Sequence, residues 1–150
     1  MTAVTACTVP EGSLLAAFGG PQDYRDCFCR DVQGAVSLSE FMERFYTSTA
    51  FVPERFVLKA IAGPSSRADA RAFARGEADR FGAWEMVERR SSEALALSKG
   101  TNTASWFCVD PHSERTRLYF GSWVGNLGQS GWRFMEQAHV WYSRVLLGGV

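Results

Sequence analysis

The segment from Trp132 to Leu147 constrains this chain most, because its apolar residues cover an unusually wide part of a helix surface. One stripe at three- and four-residue steps contains Trp132, Met135, His139, Tyr142 and Leu146. An adjacent stripe contains Phe134, Ala138, Trp141 and Val145. A helix with so broad an apolar face is largely buried. We therefore expect a long C-terminal helix that packs onto another layer and ends at Gly148.

That other layer is predicted to be a sheet, since the apolar pattern alternates from residue 81 onward. Strands are predicted at 24–32, 83–90, 94–98, 103–110 and 117–124. The connections between the later strands are short and contain turn residues such as Lys99-Gly100. Consecutive strands with short connections pair antiparallel. The pattern therefore predicts about five strands, the last four of them in an antiparallel meander.

Two or three helices are predicted between the first strand and the meander. Ser37 and Glu40 have the spacing of a capping box, and so do Ser66 and Asp69. Pro53 suits the first turn of a helix between these two. Arg67, Arg71 and Arg75 share one face of the third helix. That face is predicted to be solvated; the alternative is an anion-binding stripe.

Length and charge set the broad class. The chain has 150 residues, the size of one domain. We predict a loosely ordered leader at 1–22 and a single α+β domain at 23–150. The 16 basic and 16 acidic side chains balance, so the protein has no net charge that would attract nucleic acid or anionic lipid. No signal sequence or membrane-spanning run is visible, so a cytoplasmic protein with neither nucleic-acid nor membrane partners is expected.

The sequence contains no motif typical of a metal or cofactor site, and neither a metal nor a cofactor is predicted. Cys27 and Cys29 are two residues apart, whereas zinc knuckles use C-x-x-C, so buried free thiols are the favoured interpretation. The Gly-rich stretch 125–131 lacks the Lys-Ser/Thr pair of a phosphate loop. It is interpreted as a connector.

The strands at 103–110 and 117–124 carry large apolar groups on both faces, and the chain has five Trp and eleven Phe. Small-molecule sites are mostly apolar with a few placed polar groups. The leading hypothesis is therefore a module that binds a small apolar or aromatic molecule between the sheet and the last helix; a solid aromatic core is the alternative. The residues expected to line this site are Trp106, Phe107, Phe120, Trp123, Met135, His139 and Tyr142.

The order of elements resembles the helix-grip fold of the START and polyketide-cyclase-like (SRPBCC) superfamily. Local phrases at 26–28, 117–122 and 139–144 (DCF, RLYFGS, HVWYSR) also resemble a family of small bacterial proteins of this length. The resemblance implies a curved sheet that wraps the final helix and leaves a cavity between them. That fold has seven strands against the five predicted here, and its members include binding proteins, cyclases and lyase-like enzymes.

Two further functions fit the same pattern. The first is a cyclase- or lyase-like enzyme, with His139 and Tyr142 as proton-transfer candidates and Arg117 or Arg144 stabilising an anion. It requires these groups to converge on one cavity. The second is an interaction module that covers its second apolar sheet face by forming a homodimer.

Overall fold

The protein is an α+β structure built on one seven-stranded antiparallel sheet. The computed structural model describes residues 3–47, 66–98 and 100–125, together with Arg144, Leu147 and Gly148. The strands are β1 Thr5–Ala6, β2 Tyr24–Gln33, β3 Arg80–Phe81, β4 Trp84–Arg89, β5 Glu93–Ser98, β6 Thr103–Pro111 and β7 Arg115–Val124. The helices within this part of the chain are α1 Leu14–Ala17, α2 Leu38–Thr47 and α3 Arg67–Ala74.

The strand order in the sheet is β1-β2-β7-β6-β5-β4-β3. Strands β4 to β7 form the predicted meander and β3 extends it, each strand pairing antiparallel with the next. Strand β2 pairs with β7 along its whole length, from Tyr24 opposite Val124 to Gln33 opposite Arg115. The first long strand is therefore held beside the last one.

All five predicted strands are present, with ends within two residues of the predicted bounds. The expected total of five is wrong, because the two-residue strands β1 and β3 add one strand at each edge of the sheet. A strand of two residues is too short to show the alternation from which strands are predicted.

Both predicted capping boxes are present. The Ser37 hydroxyl accepts from the Glu40 N–H at 3.2 Å, and the Glu40 carboxylate accepts from the Ser37 N–H at 2.9 Å. Ser66 and Asp69 make the same two bonds at the start of α3. These bonds satisfy amides that a helix end leaves without partners. The helix predicted to begin near Pro53 lies outside the described residues.

Helix α3 buries one face and uses its arginines to contact α2. Phe73 and Ala74 are buried, whereas the face that carries Arg67, Arg71 and Arg75 is predicted from the sequence to be solvated. Arg71 and Arg75 lie 2.9 and 3.6 Å from the Glu43 carboxylate of α2. Two arginines of the stripe are thus half-exposed partners of a neighbouring helix.

Each face of the sheet has its own apolar core. We call the face covered by α2 and α3 the α2 face, and the opposite face, covered by α1, the α1 face. The core on the α2 face includes Phe28, Phe41, Met42, Phe45, Tyr46, Phe73, Phe81, Phe107, Leu118, Phe120 and Leu147. The core on the α1 face includes Leu14, Leu15, Cys27, Leu95, Ala104, Trp106 and Trp123.

The sequence interpretation placed residues 1–22 in a leader. Of these, β1 belongs to the sheet, and residues 7–22 form the layer that covers the α1 face. We call residues 7–22 the N-terminal layer. Leu15 is fully buried against the sheet. The Arg25 guanidinium of β2 donates to the backbone carbonyls of Leu15 at 3.1 Å and Gly20 at 3.0 Å, and also to that of Phe18. The buried side chain of Leu15 and the hydrogen bonds of Arg25 therefore join this layer to the sheet.

The predicted last helix lies outside the described residues except for Arg144, Leu147 and Gly148, which are helical. Leu147 is fully buried in the core of the α2 face. The buried Arg30 guanidinium donates to the Gly148 carbonyl at 2.8 Å and to the Leu147 carbonyl at 3.4 Å. The end of this segment is thus packed on the α2 face, while the length of the helix stays a prediction. No helix in the described part of the chain is long and apolar enough to span a bilayer.

Candidate functional site

The predicted lining residues divide between the two faces of the sheet. Phe107 and Phe120 belong to the core of the α2 face, whereas Trp106 and Trp123 belong to the core of the α1 face. Neighbouring residues of a strand point to opposite faces, so Trp106 and Phe107 cannot line one site. The other predicted lining residues, Met135, His139 and Tyr142, lie outside the described residues. Phe107 and Phe120 are the two predicted lining residues on the side of the sheet where the C-terminal segment packs.

The two tryptophans of the α1 face hold the N-terminal layer in place. The Trp106 indole N–H donates to the Glu93 carboxylate at 2.7 Å, and the same oxygen accepts from the Leu14 N–H at 2.9 Å. The Trp123 indole N–H donates to the Asp23 carboxylate at 3.0 Å. Buried indoles need such acceptors. These contacts place both side chains in the core of the α1 face.

The candidate arginines also lie on opposite faces. Arg117 donates to both carboxylate oxygens of Asp31, at 2.7 and 3.1 Å, on the α1 face. This bidentate pair holds the pKa of Asp31 below its usual range. The Arg144 guanidinium lies 5.2 Å from the ring centroid of Phe28, on the α2 face. The two arginines therefore do not converge, and Arg144 is the one on the side of the predicted site.

A row of phenylalanines crosses three neighbouring strands on the α2 face. Phe28 of β2 pairs with Phe120 of β7, which pairs with Phe107 of β6. Phe45 of α2 stacks on Phe120 at 4.7 Å between ring centroids and meets Phe107 edge-on at 5.0 Å. This phenylalanine row is an apolar wall that the end of α2 covers.

A polar row lies two residues further along the same three strands. Asp26 pairs with Ser122, and Ser122 pairs with Ser105. Side chains opposite one another on adjacent strands have Cβ atoms about 5 Å apart. The Tyr24 hydroxyl donates to the Asp26 carboxylate at 2.9 Å, at one end of the row. Hydroxyl and carboxylate groups are thus aligned directly beside the phenylalanine row.

Ser122 contributes a buried hydroxyl group to this row. Ser122 is only 2% exposed, yet its Oγ has no hydrogen-bond partner among the residues that the structure describes. Within the described residues, Nε1 of Trp84 and Nε of Arg30 share this condition on the α2 face. Buried polar atoms without partners are rare in proteins, and each one indicates strain, an ordered water or a ligand.

The polar row was not predicted from the sequence, although a signal for it is present in three short segments. Asp26-Cys27-Phe28, Ser105-Trp106-Phe107 and Phe120-Gly121-Ser122 each place a polar residue two positions from a phenylalanine. Two-residue spacing puts the members of each pair on one face. The alignment of the three pairs depends on strand register, and a single strand does not encode its register with its neighbours.

The described residues contain no group of three acidic, histidine or cysteine side chains that could hold a metal ion. No family model, curated protein or solved structure matches this chain. The interpretation of the α2 face therefore rests on its own geometry.

Proposed function

We propose that the chain binds a small molecule with an apolar or aromatic body on the α2 face, between the sheet and the C-terminal segment. The observation that carries this proposal is the Ser122 hydroxyl, which is buried and has no hydrogen-bond partner in the described part of the chain. A ligand hydroxyl or carbonyl group would satisfy it. The phenylalanine row beside it would take the apolar part of the ligand, which is the division of roles typical of small-molecule sites.

The architecture supports the same proposal. Seven antiparallel strands with a meander from β3 to β7 agree with the strand number of the helix-grip fold that the sequence resembles. In that fold the ligand cavity lies between the sheet and the final helix. Leu147 and Arg144 contact the α2 face at Phe28 and its neighbours, so the C-terminal segment reaches the proposed site. Cytoplasmic location is part of this proposal.

A nuclear magnetic resonance titration tests the proposal with naphthol and indole as probes. Binding should shift the backbone amide signals of Asp26, Ser105 and Ser122 and leave that of Glu93, on the α1 face, in place. Ser122→Ala should weaken probe binding by about three- to tenfold, which is the change in affinity expected from the loss of one hydrogen bond. Probe shifts confined to residues of the α1 face would contradict the proposal.

Thr116→Val is the matched control, because Thr116 is a fully buried hydroxyl on the same face of β7. Its hydroxyl is satisfied, since it accepts from the Val36 N–H at 3.0 Å and donates to the Gly34 carbonyl at 2.7 Å. This variant should lose about 1–3 kcal/mol of unfolding free energy and keep its probe affinity. Ser122→Ala should leave the free protein unchanged or slightly more stable, because it removes an unsatisfied group.

A second candidate function is a cyclase- or lyase-like enzyme on the same scaffold, and the Tyr24–Asp26 hydrogen bond favours it. A carboxylate that accepts from a tyrosine hydroxyl can exchange a proton with a bound molecule. A compound that binds in the titration should then be converted on incubation, as measured by mass spectrometry. Asp26→Asn should stop the conversion and keep affinity within about threefold. Conversion at an unchanged rate in this variant would exclude the role of Asp26.

A further inference from the structure

Three of the four cysteines lie together where β1 meets β2. Cys7 directly follows β1, and its N–H donates to the Cys27 carbonyl at 2.9 Å, so the two residues face each other across the strands. Their sulfur atoms are 3.2 Å apart. Cys29, two residues further along β2, has its sulfur 3.4 Å from the Thr5 hydroxyl. All are free thiols.

The backbone geometry at this pair suits a disulfide. Directly opposed residues of antiparallel strands have Cα atoms about 4.5–5.5 Å apart, within the range that disulfides span. The sulfur atoms need to approach by only about 1 Å to reach bonding distance. Strand β1 has two residues and lies at the sheet edge, so this small shift does not disturb a central strand. Cys7 is partly exposed, whereas Cys27 is buried.

We propose that Cys7 and Cys27 form a reversible disulfide that fastens the N-terminal layer to β2. The oxidant is a small disulfide of the glutathione class. The Cys7 thiolate, being the accessible one, attacks one sulfur of that disulfide and releases the first small thiol. Cys27 then loses its proton and attacks the Cys7 sulfur, which releases the second small thiol. Two protein thiols are oxidised to one disulfide, and one small disulfide is reduced to two thiols.

The surroundings of the pair make this exchange slow at neutral pH. Burial raises the pKa of Cys7 to about 11, the hydrogen bond with Cys27 lowers it, Cys29 raises it, and Arg117 of β7 lowers it. Burial also raises the pKa of Cys27, with Cys7, Cys29 and Asp26 acting in the same direction. Only a thiolate attacks a disulfide. The rate should therefore increase about tenfold for each pH unit between neutrality and the pKa of Cys7.

The bond would close a loop that contains α1, since α1 lies between residues 7 and 27. A disulfide that closes a loop of this length stabilises a protein mainly by restricting its unfolded chain. The unfolding midpoint of the oxidised protein should increase by about 5–10 °C. In a reducing compartment the dithiol is the resting form.

Peptide mapping after treatment with oxidised glutathione tests the proposal. Trypsin cleaves after Arg25 and Arg30, so Cys7 falls in the peptide 1–25 and Cys27 in the peptide 26–30. The expected product is these two peptides joined by a disulfide, with the intact protein lighter by two hydrogen atoms. Reduction should separate the peptides and return the unfolding midpoint to its original value.

Two serine variants identify the partner, because Cys27 and Cys29 share one tryptic peptide. Cys29→Ser should still form the linked peptides, and Cys27→Ser should form only a mixed disulfide with glutathione. A link that persists in Cys27→Ser would overturn the assignment, and so would wild-type protein that yields only the mixed disulfide. The midpoint of each reduced variant, measured first, shows that it is folded before oxidation.

Discussion

Glu93 joins three parts of the α1 face through its carboxylate. It is a buried carboxylate that accepts from the Trp106 indole, from the first amide of α1 at Leu14, and from Arg90 at 3.0 Å. Trp106 is fully buried, so its N–H has no access to water if this acceptor is lost. A buried donor left without a partner costs more than the bond itself contributes.

Glu93→Gln should therefore lower the unfolding free energy by about 1–3 kcal/mol, since a charged acceptor of three donors becomes a neutral amide. Urea denaturation followed by tryptophan fluorescence measures the change. Glu88→Gln is the matched control, because Glu88 also contacts Arg90, at 3.5 Å, but is 54% exposed. It should stay within about 0.5 kcal/mol of the wild type. Equal losses in the two variants would contradict the role of Glu93.

The Asp31–Arg117 pair predicts a pH dependence of stability. The bidentate hydrogen bonds from Arg117 lower the pKa of Asp31 in the folded protein. A carboxyl group whose pKa is lower when folded stabilises the protein above its unfolded pKa, near 4, and loses this contribution as the pH falls through the folded pKa. The difference in unfolding free energy between wild type and Asp31→Asn should thus be largest near pH 7 and shrink below about pH 4.

A double-mutant cycle isolates the pair. In an Arg117→Gln background the substitution Asp31→Asn should lose most of this pH-dependent difference, because the partner that lowers the pKa of Asp31 is gone. Urea titrations at a series of pH values measure all four proteins. If the difference in the Arg117→Gln background follows pH as it does in the wild type, another group is responsible.

At the scale of elements, the contact between α1 and the sheet depends on a glycine. A Cβ atom at Gly121 of β7 would lie 2.4 Å from a methyl group of Leu15 and 2.8 Å from the Asp26 carbonyl oxygen. Both distances are shorter than van der Waals contact, and the carbonyl belongs to the paired backbone of β2. Helix α1 can approach the sheet this closely only above a residue that has no side chain.

Gly121→Ala should consequently lower the unfolding free energy by about 2–3 kcal/mol through overpacking. Gly100→Ala is the control, since a Cβ there meets nothing within 4 Å, and it should change stability by less than about 0.5 kcal/mol. Thermal unfolding followed by circular dichroism compares the two. A wild-type midpoint for Gly121→Ala would show that Leu15 moves aside at little cost.

The sequence predicted the elements that carry a strong local signal. Helices α2 and α3 begin at their capping boxes, and the five long strands follow the alternation of apolar residues. The short connections predicted the neighbours within the meander, but local patterns contain no information on strand register or on the pairing of β2 with β7. The phenylalanine row and the polar row could therefore not be predicted before the register of β2, β7 and β6 was known. The four residues of α1 are too few to show a helical period.

Trp106 and Trp123 illustrate the same limit for the candidate site. The alternation correctly predicts that Trp106 and Phe107 point to opposite faces of the sheet. The sequence interpretation nevertheless assigned both residues to one cavity. The acceptors that satisfy the two indoles, Glu93 and Asp23, lie 13 and 100 residues away along the chain. Such distant partners decide whether a tryptophan lines a site or fills a core, and only the tertiary structure identifies them.

At the scale of the whole molecule, one sheet separates two apolar cores that different segments of the chain cover. The core on the α2 face receives residues from the helical insert and from the C-terminal segment. The core on the α1 face receives them from the N-terminal layer. The hypothesis of a dimeric module assumed that the second apolar face had no cover within the chain. In the described residues, the N-terminal layer provides that cover.

Deletion of residues 1–18 should therefore uncover Leu95, Trp106 and Trp123 and convert the α1 face into an exposed apolar patch. Patches of this kind drive association between molecules. The shortened chain should unfold at a lower temperature, show red-shifted tryptophan emission and self-associate in light scattering as its concentration increases. Deletion of residues 1–3, which ends before β1, is the control and should behave as the full chain does. If the longer deletion stays monomeric with unshifted emission, the α1 face is closed by other residues, and the N-terminal layer is not the cover that keeps this face from forming an interface.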